Sequence, residues 1–179
     1  MNQSTPLYLS ALRKVNWQQP TSFPFPNAIA KQWLLEQGSL SRLLEQHCQE
    51  LSVELVHNRT VKTERLNEQE VDLLSPEDCL LRKVVLSGDS EPWVLGRTLI
   101  PNSSLAGQPY DLARQGEIPL GLTVFSAEDV KRDALQVGWA ETPEGRLLAR
   151  RSRLWMNQKP MLVAELFLPT SPIYSKERV

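Results

Sequence analysis

The sequence predicts an α+β fold built on an antiparallel sheet. Three observations carry this prediction. From residue 51 onward apolar residues recur at every second position, the runs they form are joined by short connections holding Gly, Asp, Asn and Pro, and the helical patterns gather in the first half and between hairpins. Strands joined by tight turns pair antiparallel, whereas a parallel array needs a long crossover after every strand.

Taken in order, residues 1–26 hold Pro6, Pro20, Pro24 and Pro26 and read as a loosely structured lead-in over the surface. Ile29, Trp33 and Leu34 then fall at helical spacing, with Gly38 as the stop, and a second helix starts from Ser39 or Ser41 with Leu40, Leu43, Leu44 and His47 along one side. The pair has a helix-turn-helix outline, yet its second helix offers only Arg42, so helices folding over a core or a pocket are the better reading. Leu51, Val53 and Leu55 alternate with polar residues as a half-buried strand does. Ser75-Pro76-Glu77 resembles a cap followed by proline at the first helical position. Cys79–Leu86 and Trp93–Ile100 form two β-rich runs across Ser87-Gly88-Asp89-Ser90, where Gly and Asp suit a hairpin loop. A helical stretch is expected over Ser104–Arg114, ending near Gly116, and Ser126-Ala127-Glu128-Asp129 reads as a capping box. Leu135–Ala140 turns at Thr142-Pro143-Glu144-Gly145 into Leu147–Met156, which turns at Asn157-Gln158-Lys159-Pro160 into Met161–Leu168.

The 179 residues fit one domain, 1–179, long enough to bury a core without metals or disulfides. With 20 Lys+Arg against 21 Asp+Glu the net charge is −1, so no nucleic-acid partner is expected. No apolar run reaches bilayer length, and the first residues lack both the basic start and the apolar stretch of a secretory signal, so a cytoplasmic protein without a membrane span is expected. Cys48 and Cys79 are far apart with no C-x-x-C, and His47 and His57 are the only histidines, which leaves no metal site and poor support for a Ser-His-Asp hydrolase. Neither G-x-G-x-x-G nor a P-loop occurs, so nucleotide cofactors lose their usual cradle. Any catalysis is expected to run on arginine and carboxylate side chains.

The informative residues are charges that break the strand pattern. Arg82 shares a face with Leu80, Val84 and Leu86; Arg97 lies among Trp93, Leu95 and Leu99; Glu165 interrupts a run that is apolar on both sides. Burying an unpaired ion costs several kcal/mol, so each needs a partner or a ligand. An internal Arg–Glu pair would meet that need. Two guanidinium groups and a carboxylate facing an apolar interior also describe a pocket for a small anion, since the arginine fork binds carboxylates bidentately. In Arg150-Arg151-Ser152-Arg153, Arg151 and Arg153 share the face of Trp155 and read as a solvated basic strand face. Ile118-Pro119-Leu120-Gly121 reads as a tight turn that projects Leu120 inward.

The segments Trp33-Leu34-Leu35-Glu36, Glu91-Pro92-Trp93 with Gly96-Arg97-Thr98, Pro119-Leu120-Gly121, Arg150-Arg151-Ser152-Arg153-Leu154, and Glu165-Leu166-Phe167-Leu168-Pro169 through Ser171-Pro172 and Tyr174 occur in this order and spacing in the bacterial chorismate pyruvate-lyase family. The chain resembles that family over roughly residues 28–174. The resemblance implies a six-stranded antiparallel sheet with helical flaps over an enclosed ligand pocket. It also implies conversion of chorismate to 4-hydroxybenzoate and pyruvate, the first committed step toward the ubiquinone ring, with no metal or organic cofactor. By position it puts the carboxylate-binding arginine on Arg82, the glutamate near the product hydroxyl on Glu165 and a backbone contact at Leu120. A flap position that is methionine in a familiar member falls on Leu40, which keeps apolar volume and loses flexibility. Arg82 and Glu165 are thus the expected catalytic residues, Leu40, Arg82, Leu120 and Glu165 the substrate-binding set, and Arg97 a supporting candidate behind them. A monomer is expected, and the tail 175–179 carries no assigned role.

Two rivals stand beside this reading. A related fold serves as the effector-binding half of transcription regulators, where a small carboxylate is bound and not transformed; a chain of this size has no room for the DNA-binding domain such a regulator carries. A purely structural domain would pair Arg82 with Glu165 and bind nothing.

Overall fold

A computed structural model of the chain describes residues 4–106, 108, 111–127 and 129–174. Six strands, β1 (Leu51–Val61), β2 (Cys79–Gly88), β3 (Glu91–Pro101), β4 (Val130–Thr142), β5 (Gly145–Met156) and β6 (Lys159–Phe167), form one sheet in the order β1-β2-β3-β6-β5-β4. Every neighbouring pair is antiparallel. The expected hairpins β2–β3, β4–β5 and β5–β6 are therefore present. The connection from β3 runs to the far edge, and β6 returns to fill the middle.

The turns follow from their residues. Asp89 and Ser90 take φ of 48° and 69°, and Asn157 and Gln158 take 52° and 67°, the left-handed pairs that match the twist of two-residue hairpins. Gly88 is not the turn's flexible residue. It ends β2, and a Cβ there would come within 2.2 Å of the Trp93 ring, so its role is to let that indole lie across the strand.

Among the described residues six α-helices flank the sheet: α1 (Thr5–Arg13), α2 (Ala28–Leu34), α3 (Leu40–Glu45), α4 (Glu68–Leu73), α5 (Asn102–Leu105) and α6 (Leu120–Val124). Asn27 caps α2 through Ala30 N–H and Ser39 caps α3 through Arg42 N–H, which confirms both helices, although α2 ends at Leu34, well before Gly38. In α4, Asn67 and Glu70 bond reciprocally across the first turn. One sheet face is roofed by α2, α3 and α6, and Trp33, Leu34, Leu40 and Leu44 pack there on Val94, Val137 and Phe167. On the other face Tyr8, Leu12 and Val15 pack on Leu95, Ala149 and Leu166.

Several expectations are corrected. Residues 4–26 are not a loose lead-in, because α1 starts with Pro6 in its first turn, where proline is tolerated, and buries Tyr8, Ala11 and Leu12. Gln18 then forms a bridge with Val137. Ser75-Pro76-Glu77 opens no helix. The helical turn precedes it as α4, and the Ser75 hydroxyl donates to Glu77 instead. Ser126 and Ala127 follow α6, with the Ser126 hydroxyl donating to the carbonyl of Thr123, so the capping-box reading fails. Ser104–Arg114 is not one helix but α5 and a short 3-10 turn at Leu112–Arg114. Residues 1–3, 107, 109 and 110, Glu128 and the tail 175–179 lie outside the described residues.

Candidate active site

Register decides which charges share a face. Arg82 pairs with Thr98, and Gly96 with Glu165, so Arg82 and Glu165 stand on the same side of the sheet. They are two strands apart and displaced by one pleat, about 12 Å between Cα atoms from standard sheet spacings. Leu40, at the start of α3, and Leu120, at the start of α6, close over them. Together with Ser41, Thr98, Phe125, Arg132 and Glu165 they line a cavity of about 60 Å³. The structure thus places Leu40, Leu120 and Glu165 on the wall of one cavity and Arg82 on the same face beside Thr98.

The roof is close-fitting for a stated reason. A Cβ on Gly121 would meet the Ser39 hydroxyl at 2.9 Å and that of Ser41 at 3.1 Å, so only glycine lets the starts of α3 and α6 approach this closely. The α2–α3 turn is fastened from below by two arginines of the sheet. Arg150 Nη1 donates to the carbonyls of Glu36 (2.9 Å) and Trp33 (3.4 Å), and Arg132 donates to those of Gln37 (3.2 Å) and Gly38 (3.0 Å).

Charge is unevenly compensated. Glu165 is 6% exposed and accepts from Arg150 Nε at 2.9 Å across the β5–β6 ladder. Arg82 is 2% exposed, donates to the carbonyl of Ile118 at 3.0 Å, and has no ion-pair partner among the described residues. Its Nη1 has no hydrogen-bond partner there either. Burial alone pulls the Arg82 guanidinium below its ordinary pKa. A buried, uncompensated cation is costly, and an anionic ligand removes the cost. Since Glu165 pairs with Arg150 and not with Arg82, the purely structural reading loses the pair it required.

Arg97 is not brought to the cavity. It pairs with Ala164 in register, which puts it on the opposite face, where its Nη1 meets Glu70 of α4 at 2.7 Å. Trp93, expected beside it, packs with Val94 and Phe167 on the cavity face instead. Leu86 pairs with Val94 while Ser87 pairs with Pro92, so Trp93 sits in a bulge that reverses its phase. Arg151 is not solvated either: it is 5% exposed, donates to Gln69 and Gln136, and stacks on Trp17. Arg153 is half-buried, forked onto Asp133 and stacked on Trp155.

Sequence reasoning missed Arg150 and Arg132 as site residues. Arg150 had a signal in standing an odd number of residues from Arg151 and Arg153, and so on the opposite face of the strand. Arg132 had almost none, because a bulge between Asp133 and Gln136, with Ala134 at φ 51°, interrupts the alternation that would show its face.

These features define a class: an antiparallel α+β domain with a small cavity, walled by Arg132 and Glu165, between one sheet face and short helices. The same fold is seen in the ligand-binding domain of a GntR-family transcriptional regulator from Bordetella bronchiseptica, with a TM-score of 0.53, 18% identity, and coverage of 73% of this chain and 91% of that one. At that identity the likeness shows the fold alone. The family model described as chorismate lyase matches residues 11–179, and the chain belongs to the chorismate lyase family. A protein of Vibrio parahaemolyticus named "Probable chorismate pyruvate-lyase" is 66% identical over the full length of both chains. One of Vibrio cholerae with the same name is 63% identical over the same span. The "Chorismate pyruvate-lyase" of Yersinia enterocolitica is 40% identical over 93% of this chain and 96% of its own length. No helix among the described residues is long and apolar enough to cross a membrane.

Proposed function

We propose that the chain converts chorismate to 4-hydroxybenzoate and pyruvate in the cavity beneath α3 and α6, as the names of its full-length relatives suggest. The observation that carries the assignment of the site is the buried, uncompensated guanidinium of Arg82 on the same face as the Arg150–Glu165 pair. The atoms of chorismate equal those of the two products, so the reaction consumes neither water nor an oxidant. A proton leaves the ring carbon that bears the hydroxyl, the ring–ether C–O bond breaks, and the ring becomes aromatic. The released enolpyruvate takes up a proton at its methylene carbon and becomes pyruvate.

Aromatisation supplies the drive, so the protein's task is to fix one reactive conformer and favour charge on the departing oxygen. Arg82 grips the ring carboxylate with its fork. Glu165, held in place by Arg150, faces the ring hydroxyl across the cavity and is positioned to accept a hydrogen bond or a proton. Leu40 and Leu120 exclude water above the ring, with a backbone contact to the ligand at Leu120. The protein acts as a cytoplasmic monomer. Supporting this, Leu7 and Ile118 are the only exposed large hydrophobics among the described residues, too little for an apolar interface. The product serves as the aromatic precursor of ubiquinone.

The test is to mix the purified protein with chorismate and a chelator and to follow both products by chromatography. Equal formation of 4-hydroxybenzoate and pyruvate is expected. No turnover combined with thermal stabilisation by 4-hydroxybenzoate would convert the assignment to a binding domain. Neither turnover nor binding would remove it altogether.

A further inference from the structure

The cavity face carries more positive charge than the binding of one carboxylate needs. Arg82, Arg132 and Arg150 face a single carboxylate, Glu165, and that carboxylate is bonded to Arg150. Glu36 stands outside, on the α2–α3 turn, with its carboxylate on the N–H of Gly38. Of the cations, Arg132 is the one that lines the cavity wall. Its placement there is direct: Arg132 pairs with Leu154 across the β4–β5 ladder, and Leu154 also faces the cavity.

The guanidinium of Arg132 has five N–H groups. Nε is bonded to the carbonyl of Gln37, one Nη2 hydrogen to that of Gly38 and one Nη1 hydrogen to the Ser152 hydroxyl. The inventory leaves one hydrogen on each Nη available to a carboxylate. The plane is steadied by the ring of Phe125, just past the end of α6, 5.6 Å from the guanidinium carbon. Its pKa is pushed down to about 10, chiefly by burial and then by the charge of Arg150, so it stays cationic at neutral pH and gains from an added anion.

We propose that Arg132 seats the second carboxylate of the dianionic substrate, the one on the departing enolpyruvyl group, while its remaining donors fasten the α2–α3 turn over the cavity. The inference rests on the lyase reading. It assigns the two substrate carboxylates to two separate guanidinium groups, Arg82 for the part that stays and Arg132 for the part that leaves. Once the C–O bond breaks, the monoanionic aromatic product keeps only the Arg82 contact.

The experiment compares two ligands in the full-length protein and in Arg132→Gln. One is 4-hydroxybenzoate, with a single carboxylate. The other is 3-(1-carboxyvinyloxy)benzoate, an already aromatic dicarboxylate that carries the ether side chain and cannot eliminate. Both require the closed roof, so any loosening of the α2–α3 turn weakens both alike and cancels in the ratio. The substitution is expected to weaken the dicarboxylate about tenfold or more beyond its effect on 4-hydroxybenzoate, with a matching fall in kcat/KM for chorismate. Equal losses for the two ligands, in a wild type that turns chorismate over, would overturn the Arg132 seat and leave the lyase reading standing. A wild type that neither turns over chorismate nor binds 4-hydroxybenzoate would overturn both. Should Arg132→Gln fail to fold, Arg132→Lys carries the same comparison: charge without the fork is expected to give a smaller excess loss, and none would overturn the seat.

Discussion

Arg82 and Glu165 make opposite demands on stability. Arg82 is buried without a counter-charge, so the ligand-free fold carries its desolvation cost. Arg82→Met is therefore expected to leave the ligand-free melting temperature unchanged or raised. It should weaken 4-hydroxybenzoate binding by at least about a hundredfold, because two charge-assisted hydrogen bonds are lost; calorimetric titration and thermal melting together check this. Glu165 is the counter-charge of fully buried Arg150. Glu165→Gln is expected to cost about 3 kcal/mol in denaturant unfolding, by leaving that guanidinium unpaired. Adding Arg150→Met should return most of the stability and none of the turnover. Recovery of turnover in the double variant would remove Glu165 from the chemistry. At this scale the types of residue were legible in the sequence, since Arg82 and Glu165 interrupt apolar runs. Their partners were not: Arg97 has the same local pattern as Arg82, yet it lies on the reverse face with Glu70.

The helices act as fittings on the sheet. The starts of α3 and α6 meet at Gly121, where alanine would strike Ser39 and Ser41. Alanine inside a helix ordinarily stabilises by about 1 kcal/mol over glycine. Gly121→Ala is expected to reverse that sign and to speed release of 4-hydroxybenzoate severalfold in a stopped-flow displacement, because the two roof elements must part. Helix α1 is fastened differently, through the Tyr8 hydroxyl, which donates to Glu144 at 2.7 Å. Burial, then the neighbouring carboxylate, push the Tyr8 phenol up to about 12 from 10.0. The folded state thus favours the protonated phenol. Its contribution is complete below the unfolded pKa near 10 and is lost as pH rises toward 12. Limited proteolysis ahead of Val15 should accelerate over that window, and Tyr8→Phe should be cleaved faster by about fivefold already at pH 8, with the alkaline step gone. The cap at Ser39 was readable because it acts within three residues. Helix α1 was not, because four prolines suggest a loop until the sheet supplies a surface for Tyr8, Leu12 and Val15.

Across the whole molecule, the cavity links ligand charge to global stability. A ligand that binds only the folded state at 100 times its Kd adds about 2.7 kcal/mol, about 5–10 °C in melting temperature for a chain of this length. The wild type is expected to show that shift with 4-hydroxybenzoate and Arg82→Met, at the same ligand concentration, no more than about 1–2 °C; a flat response from the wild type would mean the cavity is not a binding site. What local sequence carried was the α+β class, the three hairpins, the Ser39 cap, and the presence of buried charge in strands meant for a core. These depend on alternation, turn chemistry and capping, all of which act over a few residues. Only the assembled sheet shows that β6 inserts between β3 and β5, that Arg150 rather than Arg82 meets Glu165, and that Arg132 reaches the cavity wall. Alternation says which side chains share a face, but a single bulge reverses that phase, and the neighbouring strand is chosen by contacts far apart along the chain.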